Sequence, residues 1–275
     1  MSESLAFLID AIEKADSAAA LTESVENLAD AGRIEAIPTL IEALSYNNPG
    51  AAVAAVEGLI QLGEPVVPKL LEQIDQNNYT ARSWAIRALA GIGDPRGLVT
   101  LLGAATADFS MSVRRAAARG LGNMQWHRFP PKFLEVAQAE ALDALLFVAQ
   151  HDEEWVVRYA AVVGLETLGL EIQSASLVGQ IEIQDLFGFM ATHETSLAVR
   201  ARVSQARQRL GETAVTNETV ANETVANSEH QASDIDWEKI LKDLYERKFK
   251  ERELIAAGDP TYYRQLVQAT LTQNA

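Results

Sequence analysis

The sequence contains no cysteine. Disulfides, thiolate-ligated zinc and a cysteine nucleophile are therefore excluded for this chain. No apolar run approaches the roughly 18 residues that a membrane-spanning helix needs, and the first residues lack the basic start, apolar stretch and cleavage site of a secretory signal. We therefore expect neither a membrane span nor secretion, and we predict a cytoplasmic protein. The sequence also shows no glycine-rich phosphate loop, metal-ligand spacing or Ser/His/Asp order, so we predict no metal and no resident cofactor.

Positive charge is scarce in the chain as a whole. Lysine and arginine together number 23 against 38 acidic residues, which gives a net charge of −15 and argues against general nucleic-acid binding. One stretch, residues 77–127, departs from this balance because it contains six arginines and only two acidic residues, Asp94 and Asp108. Those arginines are Arg82, Arg87, Arg96, Arg114, Arg115 and Arg119.

The same stretch contains two nearly superimposable units. Aligning Gly93 with Gln125 places Arg82 on Arg114 and Arg87 on Arg119, and both units carry apolar residues at the i, i+4, i+7, i+8 spacing of one helix face. Segments that resemble helices end at Gly32, Gly63, Gly93, Gln125, Gly169 and Gly211, with spacings of 31, 30, 32, 44 and 42 residues. Repeats of this period predict an all-α solenoid of about six helix pairs.

The repeat pattern sets the predicted domain boundaries. We assign residues 1–211 to the solenoid, with an irregular insertion from Trp126 to Pro131. Residues 212–233 are polar and without helical period, which predicts a flexible linker. Residues 234–275 predict a C-terminal helical hairpin, made of Trp237–Ala257 and Thr261–Leu271. Such a hairpin either docks on the solenoid or binds a partner.

Two sets of arginines differ in their predicted roles. Arg82, Arg114, Arg158 and Arg200 occupy equivalent repeat positions, which favours a structural ladder that pairs with acids or carbonyls of neighbouring repeats. Arg87, Arg115 and Arg119 lie opposite the stripe of small residues, on the face predicted to be concave. Because guanidinium groups bind carboxylates in a bidentate manner, these three are candidates for binding an anionic ligand. The alternative is a solvated face, or one that meets the acids of a partner.

Aromatic residues accompany these arginines. Trp84, Trp126 and Tyr159 are candidates for stacking on a ligand, although core packing is the competing interpretation for Trp84, as it is for Trp155. His127 lies in the irregular insertion, where loops on rigid scaffolds often carry function. A histidine there can donate or accept a proton, and the alternative is an ordinary surface histidine.

Four segments carry a resemblance to a known family: NNPGAAVAAVEGLIQLGE, ARSWAIRALAGIGDPRGL, VRRAAARGLGN and EWVVRYAAVVGLETLG. In this order they resemble the heterodimeric phycobilin lyases, in particular the F-type (beta) subunit of the phycocyanobilin lyase that acts on the phycocyanin alpha subunit. The resemblance covers residues 5–210 and implies a HEAT-like solenoid. It also implies a heterodimer with a homologous E-type subunit.

The implied activity is lyase chemistry with phycocyanobilin as a substrate rather than a cofactor. The heterodimer would bind this open-chain tetrapyrrole and assist its thioether attachment to a cysteine of the phycocyanin alpha subunit. Members that also isomerise the chromophore use a cysteine motif, so its absence favours plain attachment. Arg87, Arg115 and Arg119 suit the two propionates, and Trp84, Trp126 and Tyr159 suit the flat rings. The alternative hypothesis is a non-enzymatic HEAT-like scaffold or chaperone for phycobiliprotein subunits.

Overall fold

The structure, a computed structural model, describes residues 4–74, 79–172, 176–219 and 235–256. Its α-helices are α1 Leu5–Glu13, α2 Ala18–Asp30, α3 Ile37–Ala43, α4 Pro49–Leu62, α5 Val67–Ile74, α6 Tyr79–Ile92, α7 Leu98–Ala107, α8 Met111–Gly122, α9 Pro131–His151, α10 Trp155–Glu171, α11 Leu177–His193, α12 Leu197–Thr219 and α13 Trp237–Ala256. No single helix in these ranges is long and apolar enough to cross a membrane. The helix pair Pro49–Leu62 and Glu64–Ile74, which is bent by 114°, reaches the length and apolar composition of a membrane span only when its two helices are taken together.

The first twelve helices form six pairs, as the repeat pattern predicted. The second helices of successive pairs pack on one another in order, from α2 through α4, α6, α8 and α10 to α12. In each of the first five repeats the equivalent leucine is completely buried along this layer, at the positions Leu28, Leu59, Leu89, Leu121 and Leu165. Their spacings of 31, 30, 32 and 44 residues equal the spacings predicted between the helix ends. The all-α, HEAT-like solenoid is therefore confirmed.

Glycines end three of the second helices in the predicted way. Gly32, Gly63 and Gly93 have φ values of 59°, 69° and 69°, in the left-handed region that glycine adopts without strain. At Gly93 a Cβ would also lie 2.3 Å from the carbonyl oxygen of Asn123, so no side chain fits. Gly169 and Gly211 differ from the prediction because α10 and α12 continue past them.

The predicted arginine ladder is present between neighbouring repeats for three of its four arginines, while Arg200 makes no ion pair with an acid within the described residues. Arg82 pairs with Asp108 at 2.9 Å, Arg114 with Asp152 at 2.6 Å and Arg158 with Glu194 at 2.7 Å. Burial would raise the pKa of the Glu194 carboxyl, but hydrogen bonds from Arg158 and the Ser196 backbone outweigh burial and hold the pKa below its ordinary value. These arginines therefore join repeats and are not available to a ligand.

The insertion folds as a short 3-10 turn, Trp126–Arg128, and α9 then begins at Pro131, seven residues before the predicted start at Gln138. The completely buried carboxylate of Asp94 fixes this turn. It accepts hydrogen bonds from Arg96 at 2.8 Å and from Arg128 at 2.8 Å. The turn is thus held against the preceding repeat and does not form an open loop.

The C-terminal part differs from the predicted layout in two ways. Helix α12 runs to Thr219, past the predicted boundary at residue 211. Helix α13 packs against the solenoid: the Trp237 ring lies 5.5 Å from Phe129, and Leu244 is buried. Further along α13, Arg247 and Lys248 form ion pairs with Glu140 of α9. Of the two alternatives, the structure therefore shows docking. Most of the predicted linker, and the predicted helix 261–271, lie outside the described residues.

Candidate functional site

A groove of about 1020 Å³ crosses the second-helix layer, with α6, α8 and α10 side by side along it. This volume matches the upper end of ordinary ligand sites. Many of its lining residues occupy equivalent repeat positions and form rows across the three helices. These rows are Thr80, Ser112 and Val156; Ser83, Arg115 and Tyr159; Trp84, Ala116 and Ala160; Arg87, Arg119 and Val163; and Gly91, Asn123 and Thr167.

Small residues set the shape of the groove. Ala116, Ala160 and Gly120 place little side-chain bulk between the flanking helices. At Gly120 even a Cβ would lie 2.5 Å from the Cβ of Ala90, so α6 and α8 approach closely only because this residue is glycine. The larger side chains of Trp84 on α6 and Tyr159 on α10 stand on either side of the small residues of α8. The arrangement suits a ligand with flat rings.

Three arginines line the groove, and they are the three that the sequence singled out. Arg87, Arg115 and Arg119 are exposed, and within the described residues none of them makes an ion pair with an acid. The guanidinium of Arg87 lies 5.4 Å from the centre of the Trp84 ring, within cation–π range. In a chain of net charge −15, three exposed arginines without acidic partners form a site suited to an anion.

Hydroxyl and amide groups that sequence reasoning missed also line the groove. The Ser112 hydroxyl lies 3.2 Å from that of Ser83 and 2.9 Å from that of Ser110. Asn123 and Thr167 lie near the other ends of α8 and α10. The repeat alignment carried the signal for most of them, because Ser83, Asn123 and Thr167 share rows with other lining residues. The predicted site residues were all charged or aromatic, so these uncharged polar side chains were not among them.

Two predicted site residues do not reach the groove. Trp126 is only 3% exposed and its ring packs 5.3 Å from that of Phe129, in the cluster that α13 covers. Its indole N–H is buried and has no hydrogen-bond partner among the residues that the structure describes. His127 is exposed on the 3-10 turn and does not line the groove. The insertion is pinned to the preceding repeat through Asp94, which keeps both residues outside the groove. Their predicted roles therefore gain no support from the geometry.

The two tryptophans that we weighed as core residues differ from each other. Trp84 is partly buried against the core and also lines the groove. Trp155 is 46% exposed at the first position of α10, one turn before Tyr159. The core interpretation of Trp155 was therefore wrong. Trp155 is not among the residues that line the groove, although the next residue, Val156, is.

Comparison with known proteins shows the family to which this chain belongs. HEAT repeats match residues 67–166. The phycocyanobilin lyase subunit beta of Pseudanabaena tenuis (strain PCC 7409) is 54% identical over 281 residues, which span the whole of both chains. This chain belongs to the phycocyanobilin lyase beta-subunit family. The phycobilisome maturation protein of Synechococcus elongatus (strain ATCC 33912 / PCC 7942 / FACHB-805) is 47% identical over 206 residues, 74% of this chain and 96% of that protein.

A solved structure agrees with this membership. A chain from the complex of CpcE and CpcF of phycocyanin lyase, from Nostoc sp. PCC7120, matches with a TM-score of 0.57 and 47% identity. The match covers 64% of this chain and 99% of that chain. This lyase beta-family chain is therefore longer than that relative of known structure, as it is longer than the maturation protein.

The groove favours binding and orientation over covalent catalysis. Its described lining contains no carboxylate, histidine or cysteine, and its reactive groups are limited to serine, threonine and tyrosine hydroxyls. The site of this lyase beta-family chain can therefore hold carboxylates and flat rings in a fixed geometry while another molecule supplies the nucleophile.

Proposed function

We propose that this chain is a subunit of a phycobilin lyase that binds phycocyanobilin as substrate and assists its thioether attachment to a cysteine of the phycocyanin alpha subunit. One observation carries the proposal: three arginines without acidic partners and two aromatic walls share one groove. An open-chain tetrapyrrole has two carboxylates and flat conjugated rings, and so matches both features. Membership of the phycocyanobilin lyase beta-subunit family supports the same ligand.

The proposed reaction is an addition and needs no group from this chain to leave or to be oxidised. The thiol sulfur of the acceptor cysteine bonds to one carbon of a chromophore double bond, and the thiol hydrogen ends on the neighbouring carbon. The groove contributes by fixing the chromophore, since holding two reactants in a productive geometry lowers the entropic part of the barrier. Arg115 and Arg119 bind carboxylates, and Trp84 and Tyr159 hold the ring planes.

The proposed active form is a heterodimer with a homologous E-type subunit. The related chain of known structure, 47% identical to this one, was solved in a complex of CpcE and CpcF. This chain has the same solenoid fold.

The test is a reconstitution that mixes this chain, the E-type subunit, phycocyanobilin and the apo-phycocyanin alpha subunit. Visible absorbance and zinc-enhanced fluorescence of the denatured acceptor report covalent attachment. We expect an adduct with native-like absorbance only in the complete mixture. Equal attachment when this chain is omitted, in the presence of the other three components, would contradict the proposal.

A scaffold or chaperone for phycobiliprotein subunits is the second candidate, favoured by the name of the maturation protein that is 47% identical over 206 residues. In that case the groove arginines would contact acidic protein surface. Arg119→Ala would then weaken binding of the apo-acceptor and leave phycocyanobilin affinity unchanged. The lyase proposal expects the reverse order of effects.

A further inference from the structure

The row of equivalent repeat positions that contains two of the groove arginines reverses its charge along the solenoid. Glu26, Glu57, Arg87, Arg119 and Val163 follow one another at spacings of 31, 30, 32 and 44 residues. The completely buried leucines Leu28 to Leu165 follow with identical spacings, two positions further along each helix. The five residues therefore occupy the same position on α2, α4, α6, α8 and α10.

The positive section of this row is bounded on both sides. Towards the N terminus, Glu57 is exposed on α4, and Ile60, one turn later on the same helix, lines the groove. Towards the C terminus, Val163 replaces the arginine with an uncharged side chain that also lines the groove. Tyr159 in the neighbouring row continues the uncharged section on α10. Positive charge in the groove is thus confined to α6 and α8.

We propose that Glu57 and Val163 fix the register of the bound chromophore by confining its carboxylates to the α6–α8 section. Glu57 repels a carboxylate that shifts towards α4. Val163 offers neither charge nor a hydrogen bond to one that shifts towards α10, where the carboxylate would give up an arginine contact without gaining another cation from the groove lining. A terminal ring, which carries no carboxylate, then lies over α10, beside Tyr159. This inference rests on the proposed function and adds the residues that set the position of the substrate.

Two substitutions extend the arginine row by one repeat in opposite directions. Glu57→Arg adds a cation on α4 and Val163→Arg adds one on α10. Each creates a second place for a carboxylate, so a chromophore can bind one repeat out of register. The first matched control is Glu26→Arg, which makes the same charge change in the same row but on α2, two repeats before α6. The second is Leu170→Arg on α10, at a residue that is 38% exposed and does not line the groove.

The probes are phycocyanobilin and its dimethyl ester, titrated into the assembled heterodimer and followed by visible absorbance. For both row-extending variants we expect affinity for the free acid to rise on the order of tenfold, with ester affinity unchanged. We expect the transfer rate from saturated complex to the acceptor to fall by a similar factor. Both controls should behave as wild type. Glu57→Gln removes only the repulsion and should raise free-acid affinity about threefold, so the test survives if an arginine variant does not fold.

The possible outcomes distinguish a failure of the register inference from a failure of the proposed lyase function. Unchanged free-acid affinity in Glu57→Arg, Glu57→Gln and Val163→Arg would overturn the confinement of the carboxylates. If the row-extending variants bind the free acid more tightly but transfer it to the acceptor at the wild-type rate, Glu57 and Val163 do not set the register of the chromophore. Failure of the wild-type heterodimer to bind phycocyanobilin at all would instead overturn the proposed function, and the register inference with it.

Discussion

Arg114 and Arg115 are adjacent in sequence, yet the structure predicts opposite consequences for their loss. The Arg114 side chain is 11% exposed and pairs with an Asp152 side chain that is 7% exposed. It donates hydrogen bonds to both carboxylate oxygens of Asp152, at 2.6 and 3.0 Å, and to the carbonyls of Asp108 and Phe109. Arg115 is exposed and faces the groove.

The magnitudes follow from this difference. Removing one partner of a buried ion pair costs about 3–5 kcal/mol. Asp152 retains a hydrogen bond from the Glu154 backbone at 2.9 Å, so we expect Arg114→Ala to lie near the lower end, at about 3 kcal/mol. For a chain of this size that lowers the thermal midpoint by about 6–12 °C. Arg115→Ala should change the free energy of unfolding by less than about 0.5 kcal/mol, but should weaken phycocyanobilin binding about 10- to 150-fold.

Thermal melts followed by far-ultraviolet circular dichroism measure the first effect, and absorbance titrations of the heterodimer measure the second. Each variant serves as the control for the other, because both remove one arginine from the same helix. Equal destabilisation by the two substitutions, or unchanged chromophore affinity in Arg115→Ala, would refute the division between ladder and groove.

Three further predictions concern the groove wall, the docked helix and acid stability. Tyr159→Ala should weaken chromophore binding about threefold to tenfold, since an aromatic contact is worth about 0.5–1.5 kcal/mol beyond its area, with an unchanged thermal midpoint in the same melts. Trp237→Ala should lower the free energy of unfolding by about 2–3 kcal/mol, measured by urea denaturation, while chromophore affinity stays constant. Burial raises the pKa of the carboxyls of Asp94, Glu166 and Glu194, but bonds from arginines outweigh it and depress the folded-state pKa. Their stabilisation is complete above about pH 5 and is lost as pH falls through the lower folded values, so thermal midpoints should be flat from about pH 5 to 7 and drop at lower pH.

Periodicity explains why so much could be predicted from the sequence. The ladder residues and the groove residues both recur with the repeat, so Arg114 and Arg115 could be assigned to different faces by their spacing alone. The same spacing placed Arg87, Arg119 and Tyr159 on one surface, because a regular solenoid keeps equivalent positions on the same side.

Prediction failed where the period breaks or where contacts are distant in sequence. Trp126 and His127 lie in the insertion, where no neighbouring repeat indicates the direction of a side chain. The ion pair between Glu140 and Lys248 joins residues 108 positions apart, so no local pattern could indicate that α13 docks on the solenoid. Trp155 begins its helix at the rim, where an apolar residue is not required to be buried.

An experimental structure of the heterodimer with bound phycocyanobilin tests most directly whether the groove holds the substrate. We predict chromophore density in the groove across α6, α8 and α10, with the carboxylates at Arg87, Arg115 or Arg119 and a terminal ring beside Tyr159. Chromophore density elsewhere, with water or a segment of the partner subunit filling this groove, would show that these arginines do not bind the substrate.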